Sequence, residues 1–200
     1  MKQIDSSQTF FLLRRTPFGL IVLLWSVYKD QPKIFRILLS SSEIPADEAV
    51  KKLFRNSKPL SCSEIDRIAS QIETFLDGRD IRFSLDWVRL DLCSKFQQRV
   101  LRAEHRVPRG QVSTYQLIAG FIGRPSASRA VGTALAKNPF PLIIPCHRAI
   151  RSDRTLGGYQ GGPAMKRALL EMEGIEFDNT GRVITEVFFY SAAHRHSKLH

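Results

Sequence analysis

Between Asn138 and Arg148 the chain reads Asn-Pro-Phe-Pro-Leu-Ile-Ile-Pro-Cys-His-Arg, with prolines at 139, 141 and 145. Proline fixes φ, lacks an N–H and drives the residue before it out of the helical region, so neither a helix nor a central strand can run through this stretch. Its apolar residues still demand burial. The chain must therefore fold around a rigid extended or turned segment, and that segment ends by presenting Cys146 and His147 in a set geometry.

The residues on either side differ in pattern. Before the proline segment, Thr9 to Leu13, Gly19 to Tyr28 and Lys33 to Leu39 are rich in Phe, Ile, Val and Leu and are broken by Thr-Pro and Asp-Gln-Pro, which predicts successive antiparallel strands in a small sheet. Pro45 to Asn56 has helical spacing of Val50, Leu53 and Phe54. Ser61-Cys62-Ser63-Glu64 opens a second helix with Ile65, Ile68, Ile72, Phe75 and Leu76 on one face, closed by Gly78. Phe83 to Trp87 has the look of one more strand. From there the pattern is helical: Ser94 caps a helix to about Arg106, Val107-Pro108-Arg109-Gly110 turns the chain, and short helices follow over roughly Thr114–Ala119 and Ser126–Lys137, linked by Gly120 to Pro125. Two short helices around a glycine-containing link form a helix-turn-helix pattern. A last helix runs from about Pro163 to Gly174, and Ile175 to Ile184 reads as a strand or closing loop. The expected division is an N-terminal α/β domain over 1–90 with a supporting role, a second domain over 91–185 and a flexible tail over 186–200. Metal binding by His194-Arg195-His196 in that tail is not expected.

Composition narrows the function classes. With 43% hydrophobic residues the chain can build real cores, which excludes a disordered or fibrous protein. The longest apolar run, Phe18 to Tyr28, is too short to cross a bilayer, and the first residues lack the pattern of a secretory signal. The expectation is a cytoplasmic protein, nuclear in a eukaryote, with no membrane partner. Three cysteines without CxxC spacing, Cys62, Cys93 and Cys146, argue against a disulfide framework and a zinc cage. The formal net charge is +11, and the window from Lys95 to Arg167 accounts for all of it, with 13 Lys or Arg against the two acids Glu104 and Asp153. Such concentration suits a phosphate-binding surface, although charge alone fits a solvated basic face equally well.

Cys62 lies at a helix start with no neighbouring base and reads as structural, as does Cys93. Cys146 differs in having His147, Arg148 and Arg151 close by, surroundings expected to lower its pKa and raise the thiolate fraction. A cysteine next to a histidine is also compatible with a buried structural residue, so the pair alone does not decide.

Pro145-Cys146-His147-Arg148, preceded by Asn138-Pro139 and followed by Gly158-Tyr159 and Glu173-Gly174, resembles the active-site signature of the O6-alkylguanine-DNA alkyltransferases, or methylated-DNA–protein-cysteine methyltransferases. The resemblance runs from about Phe96 to Gly174 and takes in Gly110-Gln-Val-Ser-Thr-Tyr115 and Ser128-Arg129-Ala-Val-Gly132 in order; the first 90 or so residues match only in their strand-then-helix order. It implies an α+β fold, with a small N-terminal antiparallel sheet and helices of ribonuclease H-like type before a mainly helical domain. It further implies a monomer without cofactor or metal, whose partner is double-stranded DNA containing alkylated guanine, chiefly O6-methylguanine.

The resemblance also implies residue roles. Cys146 is the irreversible alkyl acceptor, His147 the base acting through a water, and Glu173 the carboxylate that orients it, with Glu171 the competing acid. Tyr115 donates a hydrogen bond to the guanine leaving group, and Asn138 braces the loop. The target base must be flipped into a pocket. Arg129 is the finger that fills the vacated stack, with an ordinary phosphate contact as the alternative. Ala127 and Ser128 allow close approach to DNA, and Thr114 and Arg148 complete the DNA-binding set. Tyr159, Gln160, Ala149 and Gly158 line the substrate pocket. Many members carry a small residue such as Ser in place of Gln160 and Val in place of Ala149, which leaves the range of alkyl groups open. Three other functions compete: a non-enzymatic damage binder, whose relatives replace the cysteine commonly by Trp; a cysteine hydrolase, which leaves the basic helix-turn-helix unexplained; and a sequence-specific regulator, for which no dimerisation heptads are present.

Overall fold

A computed structural model of the chain describes residues 8–192. They form two compact units, one made of the residues up to Ser94 together with Pro139–Ile143, the other of Lys95–Asn138 and the residues from Ile144 onward.

In the first unit, β1 (Phe10–Thr16), β2 (Gly19–Tyr28) and β3 (Gln31–Leu39) make an antiparallel meander, as the apolar runs predict. The two-residue hairpin between β2 and β3 places Lys29 and Asp30 at φ 51° and 59°, the left-handed pair that matches strand twist. A short strand absent from the sequence expectation, β4 (Lys58–Pro59), pairs parallel with β1 and gives the sheet order β3-β2-β1-β4. Proline, which cannot donate to a ladder, sits here on an edge.

All six residues from Ile21 to Ser26 are buried, so this sheet is covered on both faces. Helix α1 (Ala46–Leu53) packs Ala46, Ala49 and Val50 with Val22, Leu24, Phe35 and Leu38. Helix α2 (Ser63–Leu76) packs against β1 and β3 and buries Ile65, Ile68, Ala69, Ile72, Phe75 and Leu76, with Gly78 beyond its end at φ 90°. Phe83–Trp87 is not a strand. The Ser84 hydroxyl accepts the Asp86 N–H at 3.1 Å and starts a 3-10 turn at Leu85–Trp87, a local bond that competes with pairing in a sheet.

The second unit contains α3 (Lys95–His105), β5 (Ser113–Thr114), α4 (Tyr115–Phe121), α5 (Ser128–Ala136), a 3-10 turn at Cys146–Arg148, β6 (Ala149–Ile150), α6 (Gly162–Met172) and a small hairpin of β7 (Glu176–Phe177) and β8 (Val183–Ile184). Strands β5 and β6 pair in parallel, Ser113 opposite Ala149, which sets the starts of α4 and of the post-cysteine chain side by side. Helices α4 and α5 pack together, α4 running two residues further than expected before Gly123 turns the chain at φ 70°.

Residues 186–192, the described part of the tail expected from residue 186, make contacts with the rest of the second unit. Phe189 N bonds Val112 O at 2.9 Å, Ser113 Oγ bonds Phe189 O at 2.8 Å, and Tyr190 donates to Ala103 O at 2.8 Å while stacking on Phe121. The aromatic run Phe188-Phe189-Tyr190 supplies apolar area that burial retains. His194-Arg195-His196 lies outside the described residues. No described helix is long and apolar enough to cross a membrane.

Candidate active site

The 3-10 turn at Cys146–Arg148 is fully enclosed: Cys146 is 6% exposed, His147 0% and Arg148 8%. Asn138, itself buried, donates from Nδ2 to Ile144 O at 3.0 Å and to Cys146 Sγ at 3.2 Å, so one amide ties the loop and touches the sulfur. His147 and Glu173 share a 3.0 Å contact between Nε2 and Oε1. Glu173 sits at the C-cap of α6, where the helix ends in Gly174 at φ 85°. Its competitor Glu171 is exposed and bonded to Arg167 Nε at 2.8 Å, so the two-residue offset along the helix sends the two carboxylates in different directions.

Arg148 is placed differently from the expectation of a DNA contact. Its Nε reaches Glu173 Oε2 at 2.8 Å, Nη2 reaches Glu173 Oε1 at 2.7 Å and Nη1 reaches Val107 O at 2.6 Å. A forked, buried pair with a carboxylate uses the planar donors of guanidinium. Thr114, also expected at the DNA, is held inside. It is 4% exposed, and its Oγ1 accepts Leu117 N at 3.1 Å as the N-cap of α4.

The charge states follow from burial. Cys146 is pushed up to about 11 by burial, with the Asn138 hydrogen bond pulling the other way. This overturns the expectation of a lowered thiol: Arg148 is spent on Glu173, and desolvation outweighs what positive charge remains. The resting sulfur is a thiol that must lose its proton during reaction. Burial also lowers His147, partly offset by Glu173, so the imidazole is neutral near pH 7. Glu173 is raised by burial but lowered more by His147 and Arg148, to about 2, and stays ionised. With Nε2–H donated to that carboxylate, the basic lone pair of His147 is on Nδ1. Burial holds Tyr115 up at about 12, with Glu104 and Cys146 adding to it, so its hydroxyl remains a neutral donor. Cys93 is likewise raised to about 11 and Cys62 is raised, both chiefly by burial. A raised thiol therefore does not single out Cys146. Its partners do.

Around this centre the remaining residues fall into two groups. Tyr159 stands edge-on to His147 at 6.2 Å between ring centroids, and its hydroxyl and Gln160 Oε1 are buried with no hydrogen-bond partner among the described residues. Ala149 is buried in β6, and Gly158 is exposed. Away from them, Arg129 is exposed on the first turn of α5, with Ala127 at its N-cap and Ser128 half-buried. Of the 13 basic residues in the charged window only Arg148 and Lys166 are buried.

The geometry thus places a buried thiol, a neutral histidine and a fixed carboxylate in the same unit as the helix pair of α4 and α5 with its exposed Arg129. The family described as "6-O-methylguanine DNA methyltransferase, DNA binding domain" matches residues 95–175. The methylated-DNA–protein-cysteine methyltransferase of Methanothermobacter thermautotrophicus is 43% identical over 131 residues, covering 66% of this chain and 72% of that protein. The chain belongs to the methylated-DNA–protein-cysteine methyltransferases. A crystal structure of a substituted form of Mycobacterium tuberculosis OGT aligns with TM-score 0.67 at 30% identity over 86% of this chain and 98% of that one. Another, of M. tuberculosis OGT in complex with DNA, gives TM-score 0.64 at 29% identity over 82% and 92%.

Two residues of this methyltransferase family member, Glu104 and Lys166, escaped the sequence reading as site components, and the contact that Gly157 makes is visible only in the structure. Gly157, at φ 69°, lies against Tyr115: a Cβ there would come within 2.6 Å of the tyrosine hydroxyl. Glu104 and Lys166 are both fully buried. Their signal was available, since Glu104 is at helical spacing from the buried Val100, Leu101 and Val107, and Lys166 from Leu169 and Leu170.

Proposed function

We propose that this chain repairs O6-alkylguanine in double-stranded DNA by moving the alkyl group onto Cys146 Sγ, once per protein molecule. The observation that carries the reading is the buried array of Cys146, the neutral His147 and the ionised Glu173 locked by Arg148.

The thiol proton passes to His147 Nδ1 through an intervening water, and Glu173 stabilises the imidazolium that results. The sulfur attacks the alkyl carbon in line; the S–C bond forms as the C–O6 bond breaks and its electron pair enters the guanine ring. Tyr115 offsets that charge by donating its hydroxyl proton into a hydrogen bond. Asn138 positions the sulfur. A thioether has no leaving group that water can displace, so Cys146 is not restored. The base reaches this centre by flipping, with exposed Arg129 entering the stack and Ala127 and Ser128 permitting close approach. Tyr159, Gln160, Ala149 and Gly158 wall the pocket. The first unit, which includes Pro139–Ile143 of the segment leading to Cys146, has a bracing role. The protein works as a monomer where its DNA is, in the cytoplasm or, in a eukaryote, the nucleus.

Cys146→Ala is the test. The variant should keep its fold and salt-sensitive DNA binding while losing transfer of a labelled methyl group; transfer that persists places the nucleophile elsewhere.

A further inference from the structure

A carboxyl group is buried on the helix that packs against the nucleophile's turn, with no hydrogen bond to hold it among the described residues. Glu104 on α3 is fully buried, and neither of its oxygens has a hydrogen-bond partner among the described residues. Helix α3 packs against the Cys146–Arg148 turn, and Arg148 Nη1 fastens the second residue beyond its end by bonding Val107 O. Lys166, on α6, is also fully buried and donates from Nζ to Ala149 O at 2.6 Å and Leu156 O at 2.5 Å, which fixes an ammonium beside the chain leaving Cys146.

Groups coupled electrostatically to Glu104 include Lys166 from α6, Arg148 and Cys146 from the turn, Tyr115 from α4, and Tyr190. Helix α5, also packed on α3, has one ionisable side chain, Arg129, and directs it to solvent. Cys146 therefore lies in a turn packed against the helix that carries the buried acid and followed by the Ala149 carbonyl that holds the buried cation. With the acid neutral, Lys166 is a net positive charge near the sulfur; with the acid ionised, that charge is cancelled. An unpaired carboxylate without hydrogen bonds is costly in such a place, which favours the neutral form.

We propose that Glu104 is a positioning residue for alkyl transfer: its neutral carboxyl leaves Lys166 as the charge that supports the Cys146 thiolate, and its ionised form withdraws that support. This rests on Cys146 being the alkyl acceptor. Glu104 keeps its proton through the step; the thiol proton still goes to His147. Burial raises Glu104 to about 8, against the lowering pull of Lys166 and Arg148, so the loss of support falls within an accessible pH range. Lys166 is lowered to about 8, mainly by burial, and its own deprotonation removes support in the same direction.

The experiment measures two reactions of the full chain from pH 6.5 to 9.5: benzyl transfer from free O6-benzylguanine, and carboxamidomethylation of the Cys146 peptide by iodoacetamide. Glu104→Gln should match wild type at the acid end and exceed it by about tenfold at the alkaline end, the effect of one unit in the thiol's pKa. Glu104→Asp, which keeps the charge, should follow wild type. Glu104→Leu, read in the same way, covers a Gln variant that does not fold. Coincident profiles for wild type and the uncharged variants with both reagents overturn the proposal. A wild type that accepts iodoacetamide but no benzyl group contradicts instead the alkyl-transfer reading on which it rests.

Discussion

The two units fill their interiors with different chemistry. In the first, the buried polar side chains are the hydroxyls Thr9, Thr16 and Ser26 within an apolar core of β2, β3, α1 and α2. In the second lie all the buried charged or imidazole side chains of the described residues: Glu104, His147, Arg148, Lys166 and Glu173. Buried ions recover their desolvation only through well-made pairs, and apolar packing of equal volume commonly stabilises more. Glu173 is well paired and Glu104 is not. The second unit thus forgoes packing stability to hold charge around one sulfur, and the first, with no such array, is free to be a packed scaffold.

The largest effect that probes this contrast is Glu173→Gln. Removing one partner of a buried pair leaves Arg148 uncompensated, so unfolding free energy should fall by about 3–5 kcal/mol, and methyl transfer should fall with it. Glu173 has a folded pKa of about 2 against an ordinary 4.5. Its contribution is complete above about 4.5 and is lost as pH falls toward 2, so wild type should weaken over that window while the Gln variant shows no such slope. Leu24→Ala, in the apolar core, should cost about 2–5 kcal/mol yet leave the transfer rate per folded molecule unchanged. Denaturant titration beside a labelled-methyl assay separates the two; a transfer defect in Leu24→Ala at full folding would break the contrast.

Smaller effects lie nearer the substrate. Gly157→Ala demands a left-handed alanine and puts its Cβ on the Tyr115 hydroxyl. It should destabilise by more than about 1 kcal/mol and slow transfer by displacing the donor to guanine; unaltered kinetics would remove Tyr115 from that role. Arg129→Ala changes an exposed side chain, so stability should stay within about 0.5 kcal/mol. Repair of duplex DNA should slow more than reaction with free O6-benzylguanine, because only the duplex requires flipping. Equal losses on both substrates contradict the finger role.

Much of this was legible in the residues. The meander follows from apolar runs and turn residues and α2 from the spacing of its isoleucines, whereas the choice of Glu173 over Glu171 came from the family resemblance. What escaped depends on partners distant in sequence. Arg148 reads as one more surface cation until Glu173 and Val107 are brought to it, and the capping bond of Thr114 depends on where α4 begins. The charge of Cys146 was misjudged because neighbours in sequence suggested a lowered thiol, whereas desolvation, a property of the whole fold, raises it. Residues 58–59 were missed because a two-residue parallel edge strand containing proline has no pattern to detect.

The most direct test of the central claim is the intact mass of the protein after incubation with excess duplex DNA containing O6-methylguanine, followed by peptide mapping. The account predicts the mass of one added methyl group per protein, on Cys146, and one guanine restored for each protein consumed. A methyl group on another residue, or more than one guanine restored per protein, would contradict it.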